Sequence, residues 1–131
     1  ARHDYEALPA AAGDRIVEGL GERIASLRGK RFDGLTVSAA DDFEYHDPLS
    51  GTVAAHQGLR VAFGDDARIV LRRSGTGTQG VTLRLYLERL EARDEALQRD
   101  TTSALAALAN IAEQITHIGQ LSGRKSPSTI T

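Results

Sequence analysis

The sequence predicts an α+β fold: a four-stranded antiparallel sheet with an N-terminal and a C-terminal helix packed on it. Residues 9–27 and 102–121 each carry an apolar stripe at helical spacing. Between them lie short apolar or alternating runs, bounded by Gly, Asp, Ser and Pro, that read as strands. Helix, four strands, helix is the order of an antiparallel sheet covered on one face.

The chain has 131 residues, enough for one domain with a core of its own. Hydrophobic residues make up 40% and charged residues 26%, and the formal net charge is −2. That balance gives no field of one sign for nucleic acid or an anionic membrane, so any anion affinity must be local. The absence of Cys excludes disulfides, thiol catalysis and cysteine-ligated zinc. No apolar run approaches the ~20 residues of a membrane-spanning helix, and no signal peptide is visible.

Residues 1–8 are polar and read as a connector, with Tyr5 as the side chain able to anchor it. Pro9 suits a first helical turn. Ile16, Leu20, Ile24 and Leu27, with Val17 beside them, form the first helical stripe, weakened by Gly19 and Gly21 and ended by Gly29. Leu35 to Ala40 is the first strand. Asp41, Asp42, Glu44 and Asp47 then place four carboxylates within seven residues. Such a cluster can hold a divalent cation. Asp47-Pro48 and Ser50-Gly51 are turn chemistry, however, and no EF-hand spacing appears, so the stretch is assigned a structural role and no metal. His46 and His56, ten residues apart around this turn, are candidates for a phosphate contact or proton shuttle, with surface loop positions as the default.

Leu59 to Phe63 alternates as a half-buried strand, and Gly64 to Ala67 reads as a hairpin turn into a strand over Arg68 to Arg72. Val81 to Glu88 alternates again. The mixed charges of Glu88 to Asp100 read as a solvated connector. Leu105, Leu108, Ile111, Ile115 and Ile118 form the last helical stripe, with Gly123 as its cap and Pro127 beyond.

The stretch that carries chemistry is RRSGTGTQGVTLRLY, Arg72 to Tyr86. One antiparallel register keeps its apolar residues together: Leu71 opposite Leu85 and Ile69 opposite Leu87. The other face then carries Val70 opposite Tyr86 and Arg68 opposite Glu88. A slip of one residue would turn the apolar set to water. That register sets Arg72 opposite Arg84, and like charges so placed destabilise a strand pair. Two arginines at a loop mouth point to an anion between them. Gly75, Gly77 and Gly80 let backbone N–H groups approach a ligand. Ser74, Thr76 and Thr78 add hydroxyls, and guanidinium forks match phosphate oxygens. The competing reading is a hairpin loop with solvated arginines. A loop this long is uncommon without a function, which favours the anion site.

R-x-S-G-T-G followed by T-x-R-L-Y resembles the phosphate-binding loop in the C-terminal domain of the phosphoglucomutases, within the α-D-phosphohexomutase family. The F-E-Y-x-D-P-x-x-G segment from Phe43, the Q-G-L-R segment from Gln57 and the tail SGRKSPSTIT resemble the same domain, so the likeness covers essentially the whole chain in order. It implies a TATA-box-binding-protein-like fold, with residues 1–8 as the linker from a preceding domain and 9–131 as the domain. The tail implies that Ile130-Thr131 is the family's C-terminus.

The resemblance implies a part in interconverting glucose 1-phosphate and glucose 6-phosphate. Carried over residue by residue, Arg72, Ser74, Gly75, Thr76 and Arg84 match phosphate-binding positions, with Gly77 and Thr78 beside them. They would hold the phosphate that is not reacting. Arg73 departs from the apolar or small residue common there, and its side chain is expected to face away from that of Arg72. The family's reacting serine, its magnesium loop and its sugar loop have no counterpart here. The implied magnesium and glucose 1,6-bisphosphate therefore belong to the full enzyme, as do the other domains expected as partners. No catalytic residue and no cofactor is assigned to this chain, which is predicted to be inactive alone. A cytoplasmic setting is expected, with neither nucleic acid nor membrane as partner. Two alternatives stay open: the same domain of a phosphomannomutase or phosphoglucosamine mutase, or a free-standing module that binds phosphorylated ligands.

Overall fold

A computed structural model describes residues 1–32, 34–46, 53–64, 67–74, 80–89 and 101–131. In chain order the elements are β1 (Arg2–Leu8), α1 (Ala10–Arg23) continued by a 3₁₀ turn (Ile24–Leu27), β2 (Arg31–Phe32) and β3 (Leu35–Thr36). They continue with β4 (Ala39–His46), β5 (Val53–Phe63), β6 (Ala67–Ser74), β7 (Val81–Arg89), α2 (Thr101–Thr116), α3 (Ile118–Ser122) and β8 (Thr129–Ile130). The α+β class with an antiparallel sheet is as expected. The strand count is not: the main sheet has six strands in the order β4-β5-β6-β7-β1-β8, and β2 and β3 form a separate hairpin.

The two added strands come from segments whose sequences hide them. The stretch read as a connector is β1, antiparallel to β7, with His3 opposite Leu85 and Tyr5 opposite Leu83. Its register shifts between Tyr5 and Leu8, and Ala7 has φ 55°. That bulge breaks the period-two pattern by which a strand is recognised. The tail supplies β8, with Ile130 opposite His3 and Thr129 opposite Asp4. The bulge is fastened from the same side: Arg124 Nη2 donates to Glu6 O at 3.1 Å, and Glu6 N donates to Ser128 Oγ at 3.1 Å.

Other boundaries also move. Leu35–Thr36 belongs to the small hairpin, and the strand expected from Leu35 begins at Ala39 and runs on through the carboxylate-rich stretch to His46. His46 and His56 therefore lie in strands rather than loops. Asp47, Pro48, Ser50 and Gly51, read as turn residues, lie outside the described residues, as does most of the charged connector before α2.

The helices cover one face of the sheet. Leu59, Val61, Phe63, Ile69, Leu71, Val81, Leu83, Leu85 and Leu87 alternate onto that face and are buried. They meet Ile16, Val17 and Leu20 of α1, and Leu108, Ile111 and Ile115 of α2. Gly13 lets α1 come close to β7, since a Cβ there would collide with the Val81 side chain.

The last helix is interrupted. His117 adopts a left-handed conformation between α2 and α3. Thr116 Oγ1 donates to Ala112 O at 2.8 Å and accepts from Ile118 N at 3.2 Å. Glu113 receives the N–H of Gly119 at 2.8 Å. These side chains satisfy the backbone groups that the break releases, and Ile118 keeps its place in the core. Arg23 Nη2 donates to Ile115 O at 2.8 Å, tying the end of α1 to the end of α2. Gly123 closes α3 with φ 74°, as expected of a C-cap.

Candidate functional site

The face of the sheet away from the helices carries the candidate residues. β6 and β7 pair in the expected register: Arg72 opposite Arg84, Leu71 opposite Leu85, Ile69 opposite Leu87, Val70 opposite Tyr86 and Arg68 opposite Glu88. Leu71 and Leu85 are buried against the helices. Alternation therefore turns Arg72 and Arg84 to the open face. Ser74 and Thr82 form the next opposed pair on that face. β6 extends to Ser74, two residues beyond the predicted end, so Ser74 is a strand residue. Gly75, Thr76, Gly77 and Thr78 lie outside the described residues.

Reading across the sheet, one row runs Phe43, Gly58, Arg72, Arg84, Asp4, Thr129. Gly58 leaves the flank of Arg72 without a neighbouring side chain, the kind of opening that a close-approaching ligand uses. On the far flank, Asp4 Oδ1 lies 4.0 Å from Arg84 Nε and 3.1 Å from Arg2 Nε. The like charges of Arg72 and Arg84 are thus partly compensated from one side. Sequence inspection misses Asp4 because its strand pairs with residues some eighty positions away. Thr82 had a visible signal, since it alternates with Arg84.

The other open-face arginines have partners. Arg60 makes a two-pronged contact to Asp41, at 2.9 and 2.6 Å, and Arg68 meets Glu88 at 2.6 Å. The Arg60 hydrogen bond holds the Asp41 carboxyl below its ordinary value, reinforced by the guanidinium charge. Among the described residues Arg72 has no carboxylate partner, and its side chain is exposed. A shallow depression of about 240 Å3 beside it is lined by Arg60, Arg68, Val70, Arg72, Tyr86 and Glu88. Arg73 points the other way, toward the helix layer, where it meets Asp14 of α1 at 3.0 Å. The departure at Arg73 therefore leaves the open face unaltered.

Asp41 and Asp42 are adjacent in β4 and project from opposite faces, so they cannot converge on one cation. His3 lies at the helix side of the sheet, where burial lowers its pKa, with the neighbouring N-terminal charge acting in the same direction. Burial raises the pKa of Tyr5, as does the nearby Glu113 charge. Neither reaches the arginine row.

A family model described as the phosphoglucomutase-1 C-terminal domain matches residues 1–128. The chain belongs to this family. It is 45% identical over 130 residues to a phosphoglucomutase of Rhizobium radiobacter, covering 99% of this chain and 24% of that protein. It is 39% identical over 137 residues to phosphoglucomutase, cytoplasmic 1, of Zea mays, again covering 99% and 24%. The crystal structure of the Paramecium phosphoprotein pp63/parafusin, a phosphoglucomutase in its open form, superposes with a TM-score of 0.79 at 35% identity. That match covers 99% of this chain and 22% of the Paramecium chain. The chain thus spans about a quarter of the length of these relatives, and it corresponds to their C-terminal domain.

Proposed function

We propose that this domain binds the non-reacting phosphate of a phosphosugar, as part of a phosphoglucomutase that interconverts glucose 1-phosphate and glucose 6-phosphate. The observation that carries the reading is the opposed pair Arg72 and Arg84 on the uncovered face at the loop mouth, with Arg72 lacking a carboxylate partner among the described residues. In this reading Arg72 and Arg84 supply charge and fork geometry. Ser74, Thr76 and Thr78 supply hydroxyls, and Gly75 and Gly77 admit the ligand to the backbone. The binding energy orients the sugar for in-line transfer at residues beyond this chain. Magnesium is assigned to those residues as well, because the family's metal loop has no counterpart in this sequence. Glucose 1,6-bisphosphate is read as the intermediate whose second phosphate this loop holds.

We read the meander from β4 to β7 with its helices as the TATA-box-binding-protein-like unit, with β1 and β8 added at one side. No nucleic-acid role follows from that likeness. β1 serves in this reading both as a strand and as the connection from the preceding domain. Relatives named cytoplasmic support a cytoplasmic setting, and no described helix is long and apolar enough to cross a membrane.

The test is a titration of the isotope-labelled chain with glucose 6-phosphate, following backbone amides by NMR. Shifts are expected at Ser74, Thr82 and Arg84 and across residues 75–79, and they should vanish in Arg72→Ala. Silence at millimolar ligand would overturn the phosphate reading.

A further inference from the structure

The open face contains a buried ionic cluster that the phosphate reading leaves unused. Asp4 is 4% exposed although it lies on the uncovered side of the sheet. Arg2, Arg84 and the C-terminal tail surround it, and Ser128 N donates to its backbone carbonyl at 2.7 Å. Three buried polar atoms in this cluster make no well-directed hydrogen bond: Asp4 Oδ1 and Arg2 Nε, which face each other at 3.1 Å as an ion pair, and Arg84 Nε. Orphaned buried polar atoms are uncommon in folded proteins, and a cluster of them calls for an explanation. The 4.0 Å between Asp4 Oδ1 and Arg84 Nε is close enough for charge attraction and too long for a hydrogen bond.

The contact is to Nε, the inner nitrogen of the Arg84 guanidinium. It leaves both terminal nitrogens to form the two-pronged contact that a phosphate accepts. The Arg84 side chain is 42% exposed, while that of Asp4 is 6% exposed, so the guanidinium reaches solvent that the carboxylate does not. We propose that Asp4 is a positioning residue for Arg84: its buried carboxylate fixes the guanidinium from the inner edge and aims the terminal fork at the ligand. The second half of this assignment rests on the phosphate reading above. The first half, the holding of Arg84, does not. A small shift of Arg84 toward Asp4 on ligand binding would close the long approach into a hydrogen bond. Arg2 draws on the same oxygen from the other side and competes for it.

The test compares the wild-type 131-residue chain with Asp4→Asn and Arg2→Gln, using two NMR readouts. The first is the heteronuclear NOE of the Arg84 Nε–Hε group without ligand, which reports side-chain order. The second is the affinity for glucose 6-phosphate. Asp4→Asn should lower the NOE and weaken binding about tenfold. Arg2→Gln, which keeps the carboxylate and frees it for Arg84, should preserve the NOE and bind at least as tightly as wild type. An unchanged NOE in Asp4→Asn overturns the proposal, and so does tighter binding, because Asp4 would then only offset charge. A lowered NOE in Asp4→Asn with no binding by wild type upholds the holding of Arg84 and rejects the phosphate reading. Should Asp4→Asn fail to fold, Arg2→Gln decides: a loosened Arg84 there overturns the proposal.

Discussion

Gly80→Ala should be a costly single-methyl change, and its size can be worked from two contributions. Gly80 lies between the candidate loop and β7 with φ +85°. A side chain forced into that left-handed region costs ~1–2 kcal/mol. A Cβ at Gly80 would also sit 2.8 Å from Leu8 O, 3.2 Å from Ala7 C and 3.3 Å from Ala7 Cα. Those are backbone atoms of the β1 bulge, which Arg124 and Ser128 hold in place, so they yield poorly. Overpacking of this kind costs a further ~1–3 kcal/mol, for a total of ~2–5 kcal/mol. Gly29 separates the two contributions, because it has φ +88° and nothing within 4 Å of an added Cβ. Gly29→Ala should lose only the conformational part, ~1–2 kcal/mol. Urea unfolding measures both. With a slope of ~2 kcal/mol per molar, Gly80→Ala should lower the midpoint by ~1–2.5 M and Gly29→Ala by ~0.5–1 M. Equal midpoints for the two variants would refute the reasoning, since the bulge would then not resist the methyl group.

Two further outcomes are expected. Thr116→Val keeps the shape of a fully buried residue but leaves Ile118 N without its acceptor at the α2–α3 break. It should cost ~1–3 kcal/mol by thermal or urea unfolding, and an unchanged melting curve would contradict the assigned role. The Asp41–Arg60 pair should show a small acid dependence. The folded-state pKa of Asp41 is lowered from its ordinary 3.8. The contribution is therefore fully present above that ordinary value and is lost as pH falls through the folded value. Both side chains are nearly half exposed, which limits the effect to ~0–1 kcal/mol. The stability gap between wild type and Asp41→Asn should narrow between pH 6 and pH 3, and a gap that widens on acidification would reverse the assignment.

The site's charge geometry was legible where pairing is local. Ile69, Leu71, Leu85 and Leu87 admit one apolar register, and that register alone places Arg72 against Arg84. β6 and β7 are consecutive strands, so no distant strand was needed. The helical stripes were legible for the same reason: their spacing is internal to each segment. Asp4 was not legible, because its place beside Arg84 follows from a pairing between distant segments. Nor was β1, whose bulge at Ala7 disrupts alternation and whose inward residues include His3. The break at His117 escaped notice because Ile118 continues the apolar stripe on either side of it. There the Thr116 hydroxyl, rather than apolar periodicity, determines where the helix stops.

The position of β1 has a consequence for how the domain is made. Ala1 and Leu87 exchange hydrogen bonds at 2.8 Å in each direction, 86 positions apart. The hairpins from β4 to β7 close between neighbours, whereas β1 joins a strand synthesised long after it. On a ribosome, β1 emerges first and has no partner until β7 has followed. Until then Tyr5 and Leu8 have no sheet to pack on, and the edge of β7 beside Arg84 lacks its neighbour. Contacts of such long sequence separation require loop closure before they contribute, which slows folding. Arg84 therefore gains its neighbour Asp4 only in a late step of assembly, when the first strand takes its place beside β7.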